Sequence, residues 1–470
     1  NMGEVKSSSL GAALRYDPSY ISKWITGRMI PVEKTKQKVL RGISQEIVRQ
    51  STPDGLEMLS ANYQITDTDE LQTVIYDNLE AEYNYVMELQ KTYGTLIEPK
   101  MSFFMMLSPA QYIAKMRHPV LRRVKLLNIA AEMDLMALNH EYRMQIIQGS
   151  MRREVYRSYP DVHFSLIIHI QPEKMEKIED AVFLMNVISD MSRVDFRLYK
   201  NSQAAGRMIF SVQDEFMISG MLVDDKRCMV VNVSTETEHC RSMFETLSEV
   251  CTRDVLLYRP STIDELIEEH IYQQSMLAMN KSWYIGHLTE HFLPKKEMAP
   301  DPIEEVQLRY LHALTKKALA ESSSRVILCK EAITQLVIEK EISFYGYWIK
   351  LSLPQVKTYL RYLQTLCQGE EASLKMKVLS ERLVTDYQYE MTQCVFLSDG
   401  SSYLMTKTEN RKNNLALFNH PDMMTIFEQF FQSIWNIQDE RCLSTSEEQQ
   451  QFFDHMIHNT EIQTAIPFHF

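Results

Sequence analysis

Residues 8–27, SSLGAALRYDPSYISKWITG, decide the fold at the start of this chain, because they predict two short helices joined by a tight turn. Asp17 is a favourable N-cap, and Pro18 suits the first position of a helix, where a missing N–H leaves no hydrogen bond unmade. Gly27 can end the second helix in a left-handed conformation, and Pro31 prevents its continuation. Each helix has one apolar face, made of Leu10, Ala13 and Leu14 in the first helix and of Ile21, Trp24 and Ile25 in the second.

The opposite face of the second helix is small and rich in hydrogen-bonding groups, as a helix that enters the major groove of DNA requires. Basic residues flank the two helices and are placed to contact phosphates, including a run of Lys34, Lys36 and Lys38. The alternative is a helical hairpin that only packs. The pattern favours a helix-turn-helix, and the predicted DNA-contacting residues are Arg15, Ser19, Tyr20, Ser22, Lys23, Arg28 and Lys34.

Residues 10–31, LGAALRYDPSYISKWITGRMIP, resemble the helix-turn-helix of the lambda-repressor-like (Cro/CI, XRE-type) bacterial regulators. The matching positions are Ala12, Asp17, Pro18, Ser19, Ile21, Trp24, Gly27 and Pro31. The resemblance covers a small part of the chain and implies that Ser19, Ser22 and Lys23 face bases, while Tyr20 and Arg28 contact the backbone or the groove edge. Two features depart from the family: only residues 2–6 precede the motif, and Pro18 and Ser19 replace the usual glutamines.

Charge is unevenly distributed along the chain. Residues 1–50 contain nine basic and four acidic side chains, an excess of five positive charges, whereas the whole chain carries a net charge of −12. A small basic N-terminal segment followed by an acidic remainder indicates that contact with nucleic acid is confined to residues 1–50.

Several classes of protein are excluded by composition. The 13 glycines are too widely spaced to form a dinucleotide-binding loop, a P-loop or a nucleophile elbow. The seven cysteines form no C-x-x-C pair, which fits reduced thiols in a cytosolic chain. The apolar runs fall far below the ~18 residues of a membrane helix, and no secretory signal is recognisable. We therefore expect a soluble, cytoplasmic protein without membrane contact.

The body is expected to mix α and α/β structure. Residues 51–64 read as a linker, and residues 66–98 and 118–150 read as helices, because their apolar positions recur at helical spacing. The predicted divisions of the chain are a helix-turn-helix domain at 1–50, a helical connector or dimerisation region at 51–155, a first α/β unit at 160–252, a helical linker at 253–323, a second α/β unit at 324–437 and a tail at 438–470.

The two α/β units are predicted to arise from an internal duplication. Short, β-branched strands such as HFSLIIHI (163–170) and SRVILC (324–329) open the two units. Each unit then closes with a hairpin and a helix: FSVQDEFMISGMLVDDKRCMVVNV (210–233) can be aligned with VFLSDGSSYLMTKTENRKNNLALF (395–418). The arrangement resembles the phospholipase-D-like fold, whose closing strand, hairpin and helix are matched by Asp399-Gly400 and Phe427–Trp435. The module would be degenerate, because the catalytic H-x-K-x-x-x-x-D of the active enzymes occurs in neither copy. This resemblance implies a sensor module without catalysis.

Two pairs of histidines invite a functional interpretation. His287 and His291 belong to an H-x-x-E-H string, which on a helix would place both on one face at the spacing that zinc needs. Such strings also arise by chance, and a solvated helix face is the favoured interpretation. His455 and His458 are expected on an exposed or partner-facing C-terminal helix.

These observations predict a bacterial, sequence-specific transcriptional regulator rather than an enzyme. Its partners would be double-stranded DNA, a second copy of the chain and a small-molecule or peptide effector, and no cofactor or metal is expected. One alternative is a peptide-pheromone receptor with a helical-repeat body, although no 34-residue repeat is visible. The other is a metal-dependent hydrolase with a DNA-binding head.

Overall fold

The structure, a computed structural model, forms two compact units, Asn1–Lys100 and Met101–Phe470, here called the head and the body. It describes residues 7–25, 29–53, 55–56, 59–60, 67–93, 101–116, 126–150, 161–192, 194–224, 227–294, 305–321, 323–345, 347–368, 374–384, 389–407, 414–418 and 420–465.

The described part of the head is entirely helical, as predicted. Its helices are α1 (Ser7–Leu14), α2 (Pro18–Ile25), α3 (Lys36–Gln50) and α4 (Thr68–Tyr93). Helix α1 packs against α2 and α3, and α3 packs against α4. The apolar faces predicted for the first two helices contribute Leu10 and Ile21 to the buried side chains, and α3 contributes Val39 and Leu40.

The first sheet of the body has eight strands in the order β1-β7-β6-β5-β2-β3-β4-β8. Strands β2, β3 and β4 run parallel, and the other neighbours pair antiparallel. The strands are β1 (Met101–Leu107), β2 (Leu126–Met133), β3 (Asp161–Ile168), β4 (Asp195–Lys200), β5 (Arg207–Val212), β6 (Phe216–Asp224), β7 (Arg227–Ser234) and β8 (Val255–Leu256).

The second sheet also has eight strands, in the order β9-β17-β16-β15-β10-β11-β14-β18. Its strands are β9 (Tyr258–Ser261), β10 (Asn280–Ile285), β11 (Ser323–Cys329), β14 (Leu374–Leu379), β15 (Cys394–Ser398), β16 (Tyr403–Met405), β17 (Leu415–Phe418) and β18 (Cys442–Leu443). A separate hairpin, β12 (Glu341–Phe344) and β13 (Tyr347–Lys350), lies between β11 and β14 in the chain.

Helices cover the two sheets. They are α5 (Pro109–Met116), α6 (His140–Ser150), α7 (Glu179–Asp190), α8 (Thr237–Arg253), α9 (Ile263–Glu268), α10 (Ile271–Leu277), α11 (Glu305–Glu321), α12 (Lys330–Glu339), α13 (Leu353–Cys367), α14 (Pro421–Trp435) and α15 (Ser446–Ala465). Together with the two sheets they confirm the predicted mixed fold class. None of the helices in the described segments is long and apolar enough to cross a membrane.

The body consists of two similar α/β units, which confirms that part of the prediction. The strand order and the parallel and antiparallel pairings are the same in both sheets, with β1 equivalent to β9, β2 to β10, β3 to β11 and β5–β7 to β15–β17. We call the residues around the two sheets the first and second repeats.

The strands that the sequence analysis missed include β1, β8 and β9 at or near the sheet edges and two that are central in their sheets. Residues 126–133 lie in a segment that was predicted to be helical, and they form β2; residues 280–285 lie in the predicted helical linker, and they form β10. Both strands are central in their sheets and largely buried on both faces, so that they lack the alternation that marks a half-buried strand. Each repeat therefore includes strands that precede the start of its predicted unit.

The two repeats contact each other through several polar groups. The side-chain amide of Asn186 on α7 makes two hydrogen bonds with the backbone of Glu390. It donates to the Glu390 carbonyl at 2.8 Å and accepts from the Glu390 N–H at 2.8 Å. Lys200 at the end of β4 forms an ion pair with Asp422 at the start of α14. These contacts join α7 and β4 of the first repeat to the second repeat.

The C-terminal helix α15 packs against α13 through buried side chains that include Phe453, Met456 and Ile457. Gln449 at its start donates to the carbonyl of Met376 on β14 at 2.9 Å. His455 and His458 lie on the exposed side of the helix, as predicted. The helix therefore covers the end of the second repeat rather than extending freely.

We expect Gly286→Ala to destabilise the body strongly, because an added Cβ would lie 2.3 Å from the carbonyl oxygen of Gln393 and 2.4 Å from that of Met391. The backbone would have to move, at a cost of about 3 kcal/mol. Gly206→Ala is the control: it meets no atom within 4 Å, but its φ of +72° is left-handed, which costs about 1 kcal/mol. Equal falls in melting temperature for the two variants would contradict the steric explanation.

Candidate nucleic-acid interface

The start of α2 is held by Asp17, the residue that the sequence predicts as its N-cap. The N–H of Ser19 donates to Oδ1 of Asp17 at 2.8 Å. Hydrogen bonds from Ser19 lower the pKa of the Asp17 carboxyl, so that it is charged at neutral pH. Arg15 precedes it with a φ of +58°, which turns the chain between α1 and α2. The predicted helix–turn–helix geometry is therefore formed by local hydrogen bonds.

A close approach between α1 and the turn fixes the angle at which α2 leaves α1. A Cβ on Gly11 would lie 2.9 Å from the carbonyl oxygen of Tyr16 and 3.3 Å from Cα of Pro18. The rings of Tyr16 and Trp24 then meet edge to face, with centroids 5.0 Å apart. The sequence analysis did not single out Gly11. A glycine inside a helical pattern was the available signal, because it weakens a helix unless packing requires it.

The face of α2 that was predicted to contact DNA is exposed. Ser19, Tyr20, Ser22 and Lys23 are all accessible to solvent, whereas Ile21 between them is buried. The ammonium of Lys23 lies 5.6 Å from the centroid of the Tyr20 ring. The buried Ile21 fixes the rotation of α2, which leaves two hydroxyls, a phenol and an ammonium on its outer side.

Of the predicted flanking residues, Arg15 and Lys34 are exposed, and Arg28 lies outside the described residues. Lys36, which the sequence analysis placed in the phosphate-contacting run, is engaged elsewhere. Its ammonium lies 3.0 Å from the carboxylate of Glu80, 2.8 Å from Oδ1 of Asn84 and 4.9 Å from the centroid of the Tyr83 ring. Since these partners are all on α4, Lys36 joins α3 to α4, and its assignment to phosphates is wrong.

The dimensions of α2 suit a major groove. An α-helix with its side chains is about 10–12 Å in diameter, which matches the ~12 Å width of the groove, and α2 is a short helix of eight residues. Hydroxyl and ammonium groups can donate to base edges, and neighbouring cations can neutralise phosphates and release counterions.

The H-x-x-E-H string was the alternative candidate site, and the structure places it differently from the prediction. Residues 287–291 follow β10 and enter a single 3-10 turn, Glu290–Phe292, so the two histidines do not share a helix face. All three titratable residues are buried, which makes the predicted solvated face wrong. Nδ1 of His287 lies 2.6 Å from the carbonyl of Thr392, and Nδ1 of His291 lies 2.8 Å from Oγ1 of Thr289.

The electrostatics of this segment are governed by burial. Burial lowers the pKa of His287 to about 4 and that of His291 to about 3, and it raises the pKa of Glu290 to about 7. Oε2 of Glu290 accepts from the N–H of Tyr345 at 3.2 Å, and Oε1 accepts from the hydroxyl of Tyr272 at 3.4 Å. Across the described segments, no three His, Cys, Asp or Glu side chains are grouped so that they could hold a metal ion. The segment fits a hydrogen-bonded part of the core better than a zinc site.

Comparison with known proteins adds little to this description. No protein-family model matches the chain, and no curated protein is similar to it in sequence. A solved structure of TrmBL2, an archaeal chromatin protein with a novel mode of DNA binding, matches over 53% of this chain and 91% of that chain. The sequence identity is 11% and the TM-score is 0.22. A likeness this weak establishes neither a shared fold nor a shared function.

We expect Lys36→Ala to change the stability of the head and Lys34→Ala to change its binding to DNA. Lys36→Ala removes the contact with Glu80 and Asn84, so it should lower the stability of the head by about 1 kcal/mol. Lys34→Ala should leave stability unchanged and weaken binding to duplex DNA. Thermal unfolding of the head and a DNA titration measure the two effects, and a stable Lys36→Ala variant would refute the structural role.

We expect Glu290→Gln to gain stability relative to the unchanged protein as the pH rises. The folded-state pKa of about 7 lies above the ordinary value of 4.5, so the native carboxyl holds its proton where the unfolded one loses it. Its stabilising contribution is present below pH 4.5 and lost as the pH rises through 7. Between pH 5 and pH 8 the variant should gain on the order of 2 kcal/mol.

Chemical denaturation at both pH values measures this gain. Glu428→Gln, which alters an exposed glutamate on α14, is the control and should show no such change. A pH-independent difference between Glu290→Gln and the unchanged protein would contradict the buried, protonated state.

Proposed function

We propose that this protein is a bacterial, sequence-specific DNA-binding transcriptional regulator and not an enzyme. The supporting observation is the exposed face of α2, where Ser19, Ser22 and Lys23 stand opposite the buried Ile21. This face lies within residues 1–50, which carry an excess of five positive charges. As a DNA-binding regulator it would act in the cytoplasm.

In this mechanism α2 enters the major groove. Ser19, Ser22 and Lys23 contact base edges, and each well-formed contact contributes about 1–3 kcal/mol of discrimination. Arg15, Tyr20, Arg28 and Lys34 contact the backbone and hold the head in register. A single short helix reads few base pairs, so we propose that two chains bind half-sites ~34 Å apart.

The body would sense an effector or assemble the regulator. A small molecule or peptide that alters the contacts between the two repeats would change the spacing of the two heads and thereby the affinity for DNA. The peptide-receptor alternative required a body of helical repeats and is contradicted by the two eight-stranded sheets. The hydrolase alternative depended on H-x-x-E-H, whose histidines do not have the helical geometry that it required.

The proposed function is tested by selecting bound fragments from a random pool of duplexes at low and moderate salt. We expect a two-fold symmetric sequence to be enriched. Lys23→Ala should weaken binding to it by about 1–3 kcal/mol and relax the preference at one position of each half-site.

Lys330→Ala, which removes the same charge from an exposed position of the body, is the matched control and should bind as the unchanged protein does. Salt-sensitive binding without sequence enrichment would show that the head contacts phosphates only. Absence of binding would refute the proposal.

A further inference from the structure

One side of the first sheet carries an exposed apolar surface near its β1 edge. Phe103 is 66% and Met105 is 67% exposed. The other large apolar side chains exposed on this side are Met221 and Val223 of β6 and Val230 of β7. Met105 is directly opposite Val230 in the pairing of β1 with β7, and Phe103 is opposite Asn232. Side chains at alternate positions of a strand share a face, so these residues form one surface, which we call the β1 face.

In the described segments, the helices of the first repeat leave the β1 face open. Helix α5 packs against β1 and β7, and Tyr112 and Ile113 are buried there on the opposite side of the sheet. Helix α8 lies on the same side of the sheet as the β1 face, but it covers other strands. For example, the hydroxyl of Ser211 on β5 donates to the carbonyl of Cys240 on α8 at 3.2 Å. Strands β7 and β1 lie beyond the strands that α8 contacts most closely.

The edge of β1 is open as well. In the described segments β1 pairs only with β7, which leaves its other edge without a neighbouring strand. Its sequence, MSFFMML, contains no charge and no proline. Proteins usually protect such an edge with charges, prolines or a covering element, because an open apolar edge pairs readily with another strand.

The equivalent surface of the second repeat is buried. There, Leu404, Ala416 and Phe418 have little exposure, and Phe418 stacks on Phe427 of α14 with centroids 4.6 Å apart. The first repeat covers the end of this surface: the hydroxyl of Tyr258 on β9 donates to the carbonyl of Phe196 on β4 at 3.3 Å. Among the described strands of residues 101–470, none lies beside β1 in the way that β4 lies beside β9.

At the other end of the body, α15 packs on α13, so the two ends of the body present different surfaces. An association that uses only the β1 face must join two identical surfaces, which a two-fold axis does. An uncharged strand is self-complementary in this arrangement, because antiparallel pairing places no like charges opposite each other.

We propose that the β1 face is the interface between two copies of this chain, formed by antiparallel pairing of β1 with β1 of the second copy. Apolar side chains of the β1 face would then meet across the two-fold axis and be removed from water. The proposal extends the proposed function, which requires two heads per operator. Met101 is the first residue after the head, so pairing of β1 would bring the two attachment points within a strand length of each other.

The experiment measures the solution mass of the intact chain by analytical ultracentrifugation over a range of concentrations, without DNA. The unchanged protein should be a dimer. Met105→Glu should raise the dimer dissociation constant at least ~100-fold, because two like charges would face each other across the interface. Met279→Glu is the matched control: Met279 is 68% exposed and lies outside the β1 face, so this variant should remain dimeric.

A second measurement guards against loss of fold and against other modes of association. Thermal unfolding of Met105→Glu should match that of Met279→Glu. Phe103→Cys should form covalently linked dimers on oxidation, whereas Met279→Cys should not. A monomeric unchanged protein, a dimeric Met105→Glu variant or open-ended oligomers would each overturn the proposal. Since no DNA is present, these outcomes are independent of whether the head binds an operator.

Discussion

The organisation of the body depends on the short junction between the two sheets. Strand β8 pairs with β4 in the first sheet, and after a single residue β9 begins the second sheet. That residue, Leu257, is buried, and its N–H donates to the carbonyl of Leu198 at 2.9 Å. A connection this short gives the chain no freedom to rotate one repeat by a half-turn against the other, so they follow each other in tandem. The tandem order then decides which surfaces of each repeat are covered.

The same order accounts for the different environments of equivalent elements. Helix α14 contacts α7 of the first repeat as well as its own sheet, and Ile426 and Phe427 on it are buried. Their counterparts in the aligned sequence, Met243 and Phe244 on α8, are only half-buried. The two repeats share one architecture, but the helix that follows the last hairpin is more deeply buried in the second repeat, here called the inner unit, than in the first. The inner unit carries the buried His287–His291 segment, where removal from water shifts the pKa values of its side chains.

The head is stabilised less by apolar burial than the body is, since few of its described apolar side chains are buried. Asp17 and Gly11 set the turn between α1 and α2 through local hydrogen bonds and close approach. Lys36 and Glu80 then join α3 to α4 through charge. As a result the head keeps one face of α2 exposed, and most of the other cations in its described segments remain at the surface.

Local features were predictable from the sequence, and features that depend on distant partners were not. Asp17 and Pro18 start α2 through groups within a few residues, and β3 shows its strand character in its own composition. Strands β2 and β10 resembled helices because burial on both faces removes alternation. Lys36 looked like a phosphate ligand because Glu80 is far away in the chain, and His291 looked solvated because the elements that bury it are distant in sequence. The order of residues therefore decided the caps, the turns and the duplication. Only the tertiary structure decided which cations, histidines and sheet edges meet solvent, since burial is a property of the neighbours that folding brings together.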